Sequence, residues 1–170
     1  MVVIPIRVLP DPVLRQKARR VRTIDKSVQR LIDDLLETMQ SAAGVGLSAP
    51  QVGVPLRVIV IRLPEEEEEI VLVNPAIIRK TGDRTVKEGC LSIPGYVGQI
   101  QRAESVRVKG RDRSGKEVRL RAEDLLAQTL EHEIDHINGV LYVDHLASLD
   151  ELRPAEPAET ETEAEPLTQG

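Results

Sequence analysis

Val28, Leu31, Ile32, Leu35, Leu36 and Met39 recur at intervals of three and four residues. That period puts them on one face of a helix, predicted from about Asp25 to Ala43, with Gly44-Val45-Gly46 as its stop. Upstream, Asp11-Pro12 reads as an N-cap followed by proline at the first helical position, opening a short helix to about Ala18. The run Arg57-Val58-Ile59-Val60-Ile61 predicts a buried strand, and Ile70 to Ile78 a second one, interrupted at Asn74-Pro75. Ser105 to Lys109 and Glu117 to Arg121 alternate apolar and polar residues around the turn-forming Asp112-Arg113-Ser114-Gly115. This predicts a hairpin with one wet face. A last helix is expected from about Ala122 to Ile137, stopped by Asn138-Gly139. The elements do not alternate as strand and helix, so the expected class is α+β: small mixed or antiparallel sheets packed around the C-terminal helix, with the N-terminal helices on the outside.

Composition changes this picture in three ways. Tyr96 and Tyr142 are the sole aromatic residues among 170, so the core must be aliphatic. Residues 151–170 hold six Glu and one Arg and have no apolar period. They cannot bury enough surface to offset ordering entropy, so an acidic disordered tail is expected at 151–170 beside one domain at 1–150. The other 150 residues balance 22 acids against 22 bases, which offers no global basic field and no specific nucleic-acid site. Glu65 to Glu69 is expected as a solvated loop.

No apolar run nears the roughly 20 residues of a membrane helix, and the N-terminus lacks a signal-peptide pattern. A cytoplasmic protein with no membrane partner is the expectation. The single cysteine, Cys90, excludes an intramolecular disulfide and fits a reducing compartment.

The last helix carries His132-Glu133-Ile134-Asp135-His136. Two imidazoles four residues apart share a helix face and can hold one metal ion, and Glu133 can reach a water bound to it. This is the layout of a metal-assisted hydrolase. The third ligand is less plain. His145 lies nine residues on, past the helix stop, and reads as an ordinary surface histidine. Cys90, in Glu88-Gly89-Cys90-Leu91-Ser92, is the better candidate, because a metal takes a thiol as thiolate. Two imidazoles and a thiolate leave the fourth tetrahedral position open and suit Zn²⁺, Fe²⁺, Ni²⁺ or Co²⁺. A zinc endopeptidase using the same helix with another third ligand remains the competing reading.

Three segments in order, Gly44-Val45-Gly46-Leu47-Ser48-Ala49-Pro50-Gln51, Glu88-Gly89-Cys90-Leu91-Ser92 and His132-Glu133-Ile134-Asp135-His136, closely resemble the motifs of the peptide deformylases. The resemblance covers about residues 4 to 150. It implies removal of the N-formyl group from the initiator methionine of nascent polypeptides, releasing formate. It implies that Cys90, His132 and His136 hold one divalent ion, natively Fe²⁺, and that Glu133 serves as general base and then general acid. The Gln51 amide and the Leu91 backbone N–H match the family's oxyanion donors. The peptide would lie as an added strand along Gly44-Val45-Gly46. Leu125 and Thr129, one face of the metal helix, would wall the methionine pocket with Val45 and Val86. Glu88 and Arg102 resemble a pair that braces the Cys90 loop. Gly95 to Gly98 lack the arginine that some members place near the second substrate residue. Any transient ribosome contact is expected to bypass the acidic tail, because ribosomal RNA repels it.

Overall fold

The computed structural model describes residues 2–156; residues 157–170, most of the expected tail, lie outside the described residues. Helix α1 spans Lys26–Ser41 and is capped by Asp25, whose carboxylate accepts from the Val28 N–H at 3.1 Å. All six residues of its predicted apolar stripe are buried. Strands β1 (Gly46–Ser48), β2 (Val58–Ile61), β3 (Ile70–Thr81), β6 (Ser105–Arg111) and β7 (Glu117–Glu123) form one antiparallel sheet in the order β1-β2-β3-β6-β7. Strands β4 (Arg84–Cys90), β5 (Ile93–Arg102) and β8 (Arg153–Pro154) form a second, in the order β4-β5-β8. Helix α2 spans Asp124–Ile137. The α+β class and the packing around α2 match the expectation.

The strands shape the core. β2 is buried along its whole length because both faces are covered. Val58 and Val60 pack under α1, while Ile59 and Ile61 pack against Leu130, Ile134 and Ile137 of α2. Each such aliphatic side chain contributes about 1.5–3 kcal/mol by leaving water. The opposite face of α2 meets β4 and β5, which bond to it through polar side chains. Between two covered faces, Gln128, Thr129, Glu131, His132, Glu133 and His136 are all buried.

Three local expectations need correction. The helix expected from Pro12 to about Ala18 is a single 3₁₀ turn, Pro12–Arg15. Gln16 turns extended and the Ala18 N–H bonds to the carbonyl of Ile137 instead. At the end of α1 the left-handed residue is Ala43, with φ of 54°, rather than a glycine. As expected, β3 is interrupted at Asn74-Pro75, by a bulge after which the strand continues. There Asn74 adopts φ of 52° and its side chain bonds both the N–H and the carbonyl of Val21. Finally, order continues past residue 150: Leu149–Glu151 is a 3₁₀ turn and β8 pairs with Tyr96 and Val97 of β5. Leu152 packs on the third hydrophobic cluster, which supplies the apolar anchor this stretch otherwise lacks.

Candidate metal centre and catalytic site

α2 presents His132 and His136 one turn apart, their Nε2 atoms 3.1 Å from each other. The β4–β5 hairpin supplies Cys90, whose Sγ lies 3.3 Å from His136 Nε2. Cys90 is the last residue of β4 and pairs with Ile93, so Leu91-Ser92 is a two-residue connection at the site's edge. The three ligand atoms all fall within 4.8 Å of one another and all three residues are buried. Metal–nitrogen bonds of about 2.0–2.1 Å and a metal–sulfur bond of about 2.3 Å imply tetrahedral edges of roughly 3.3–3.7 Å. The two shortest observed spacings lie at the lower end of that range or just below it, so the three atoms are close enough to share one divalent ion. His145 is not part of this cluster; it sits 36% exposed and bonds Asp135 at 2.9 Å.

The protonation pattern favours the same reading. Glu88 Oε2 lies 2.8 Å from His132 Nδ1. Burial alone would push the Glu88 carboxyl up, but the Arg102 guanidinium, and then His132, hold it well below the usual carboxylate range. An ionised Glu88 can only accept, so His132 Nδ1 carries the proton and Nε2 offers a lone pair to the centre. Burial, and next His132, push His136 well below its ordinary value, which keeps it a neutral ligand.

Arg102 grips Glu88 with two hydrogen bonds of 3.0 and 2.6 Å and reaches Asp135 at 2.8 Å. Its charge is reinforced: burial would lower its pKa, and the Glu88 and Asp135 carboxylates more than reverse that. The Glu88–Arg102 pair thus ties β4 and β5 to both ends of the His132–His136 turn. Asp135 was not foreseen from sequence, although an acid next to a candidate metal-ligand histidine was an available signal.

Glu133 is fully buried, with Oε2 3.9 Å from His132 Nε2. Gly46 makes room for it: a Cβ there would meet Glu133 Oε2 at 2.6 Å. Gly46 was expected in the helix stop and along the peptide strand, and its close approach to Glu133 was not foreseen.

Gln51 is buried in the 3₁₀ turn Ala49–Val52. Its Oε1 accepts from the Ser48 N–H at 3.1 Å and the Ser48 hydroxyl at 3.0 Å. The N–H is an unambiguous donor, so Nε2 must face the other way, toward Ser92 Oγ at 3.2 Å and Cys90 Sγ at 3.8 Å. Ser48-Ala-Pro-Gln51 has the Ser-x-x-Gln spacing of a capping box, a signal that could have identified Ser48 as Gln51's orienter.

The residues expected to wall the methionine pocket sit on different elements. Val45 and Thr129 are buried, and the Thr129 hydroxyl is committed to the Leu125 carbonyl at 2.8 Å. Leu125 is half-buried, one turn before Thr129. Val86 is buried beside Cys90 in a cluster with Leu14, Ile93, Ile100, Leu141 and Tyr142. Gly44 and Val45 lead into β1, an edge strand of the five-stranded sheet.

Known proteins resemble this chain over most of its length. The polypeptide deformylase family model matches residues 3–152. A peptide deformylase of Dehalococcoides mccartyi is 57% identical over 149 residues, spanning 88% of this chain and 89% of that protein. One from Halothermothrix orenii is 51% identical over 151 residues, 89% of this chain and 98% of that protein. The crystal structure of a peptide deformylase from Legionella pneumophila superposes with a TM-score of 0.86 at 48% identity, covering 88% of this chain and 89% of that one. A peptide deformylase from Synechococcus elongatus in complex with actinonin gives 0.83 at 46% identity, covering 87% and 81%. A buried Cys-His-His cluster, a family match across nearly the whole described chain and close structural relatives at high identity lead to one conclusion: the chain belongs to the polypeptide deformylase family.

Proposed function

We propose that Cys90, His132 and His136 hold one divalent ion, natively Fe²⁺, and that Glu133 moves the protons as the chain hydrolyses the N-formyl group of initiator methionine on nascent polypeptides. When bound, the ion acts as a Lewis acid on the formyl oxygen and acidifies a water. Glu133 takes the proton from the attacking water and returns it to the departing amine nitrogen, so formate and a free N-terminus result. The Gln51 amide and the Leu91 N–H donate to the oxygen that gains charge. Their pre-set orientation lowers the reorganisation needed at the moment of reaction. Gly44-Val45-Gly46 accepts the peptide along the edge of β1, and Leu125, Thr129, Val45 and Val86 shape an apolar pocket for the methionine. Glu88, held by Arg102, keeps His132 in the ligating tautomer.

The observation that supports this reading most is the meeting of Cys90 with the two α2 histidines, since an endopeptidase on the same helix has no use for a thiolate there. The thiolate with two imidazoles suits Fe²⁺ and equally Zn²⁺, Ni²⁺ and Co²⁺, and the family resemblance favours Fe²⁺. No helix of the described residues is long and apolar enough to cross a membrane. A buried single thiol and a nascent-chain substrate support a cytoplasmic setting with transient ribosome contact that does not run through the acidic C-terminal residues. Formate release from formyl-Met-Ala-Ser by anaerobically Fe²⁺-loaded enzyme tests the reaction. Turnover that disappears on Glu133→Gln is the expected result; inactivity of the fully loaded wild type overturns it.

A further inference from the structure

Strands β6 and β7 turn one face to α2 and the other to water. Val106, Val108 and Gly110 are buried, while the alternate residues Arg107, Lys109 and Arg111 are exposed, as are Arg119 and Arg121 on β7. The register sets like charges directly opposite one another. Arg79 of β3 faces Arg107, and Arg107 faces Arg121, so three guanidinium groups form one rung across three adjacent strands. On the next rung Lys109 faces Arg119. Opposed like charges destabilise a sheet pair, so this arrangement is kept at a cost to the fold. Arg119 and Arg121 have exposed acidic partners on their own strand, Glu117 at 3.3 Å and Glu123 at 3.5 Å. Arg79, Arg107, Lys109 and Arg111 form no ion pair among the described residues. The near-zero charge of the first 150 residues therefore conceals a separation: a cationic face here, and acids in the 65–69 loop and elsewhere.

We propose that the outward face of β3, β6 and β7 is a docking surface for the phosphate backbone of RNA. Cations repeat about every 4.8 Å across the strands and about 6.7 Å along them. Such a lattice matches a chain of evenly spaced negative charges better than a lone anion. Guanidinium groups supply most of it, and their fork pairs bidentately with phosphate. The face reads no sequence, because contacts to phosphate carry none. A lipid surface fits less well: Ile78 is the single exposed large apolar side chain on these three strands, too little to insert. The strand order places β1, the edge that would receive the peptide, at the opposite end of the sheet from β7. An RNA-rich particle can thus be held without blocking the substrate edge. The biological partner rests on the reading above, in which the substrate is a nascent chain; the binding itself does not.

The test uses the full-length, metal-loaded enzyme and a fluorescein-labelled oligo(U) of about 20 nucleotides, titrated by anisotropy at several salt concentrations. Wild type binds at low salt and weakens steeply as salt rises. R107Q/K109Q loses at least about 10-fold in affinity, and its log–log salt dependence becomes shallower by about 1.4, two phosphate contacts at roughly 0.7 each. Formate release is unchanged. Its Tm rises by about 1–3 °C, because the opposed charges are relieved; R119Q/R121Q is the second variant should the first fold poorly. Equal RNA affinity in wild type and both variants overturns the proposal. So does tighter binding to phosphatidylserine vesicles than to oligo(U), lost on the same substitutions. So does RNA binding that appears only when residues 157–170 are removed, which would give this face to the chain's own acidic end. Failure of formyl-peptide hydrolysis with RNA binding intact would strike the enzymatic reading alone.

Discussion

α2 and the β4–β5 hairpin both build the centre, by different means. α2 brings His132, Glu133 and His136 within one turn, so backbone geometry alone sets their spacing. The hairpin brings Glu88, Cys90 and Arg102 together by strand register, with Glu88 opposite Gly98 and Arg84 opposite Arg102. It then meets α2 through contacts far apart in the chain, such as Glu88 to His132 and Arg102 to Asp135. In the proposed site the helix thus sets the spacing of its groups locally, whereas the hairpin sets its own by buried charge. Damage to the helix side should remove chemistry and spare the fold. Damage to the hairpin side should cost both metal and stability.

The sharpest break on the helix side is Glu133→Gln. It should lower kcat by about 10²- to 10⁴-fold while metal content and Tm stay near wild type, as steady-state kinetics and elemental analysis would show. Gly46→Ala should follow at about 10²-fold, since the added Cβ displaces the carboxylate it now meets at 2.6 Å. A crystal structure of this variant should show Glu133 shifted with the ligands in place; an unmoved carboxylate and full activity would remove Gly46 from the account.

On the hairpin side, Arg102→Ala leaves Glu88 buried and uncompensated. Metal affinity, read by chelator competition, should fall about 10- to 100-fold. Denaturant titration should show a loss of about 3–5 kcal/mol. The sign of the pH dependence follows from Glu88. Its folded pKa is depressed below the ordinary 4.5, so its contribution is present above that pH and vanishes as pH falls through the folded value. The gap between wild type and Arg102→Ala should therefore be widest above about pH 4.5 and narrow below it. Smallest of the set is Ser48→Ala. It removes one hydrogen bond that orients Gln51, about 1 kcal/mol, and should lower kcat/KM roughly 3- to 10-fold with metal retained.

The same contrast explains what could be read without coordinates. α1, α2 and the β6–β7 hairpin bury one face and wet the other, so their periods stand out in the order of residues. Helix α2 was also legible because one motif lay on it. β4 and β5 were not foreseen as strands: Glu88 and Arg102 are charged yet buried, and Pro94 and Gly95 break the pattern, so alternation fails. Their polar core positions make sense only once His132 and Asp135 are beside them. Cys90 was found by elimination and by motif resemblance, not by any local period. β1 is three residues long, too short for a pattern, and its pairing to β2 comes from tertiary context. The cationic rung was invisible for a related reason, since registers between β3, β6 and β7 bring Arg79, Arg107 and Arg121 together from separate segments.

The proposed centre depends on the hairpin's thiolate completing the pair of imidazoles on α2. X-ray absorption at the metal edge of Zn²⁺-loaded protein reads that ligation. One sulfur at about 2.3 Å and two imidazole nitrogens at about 2.0–2.1 Å are expected, with the sulfur contribution gone and tight binding lost in Cys90→Ala. A first shell of nitrogen and oxygen only in the wild type, or a Cys90→Ala protein that keeps its metal and its activity, would contradict it.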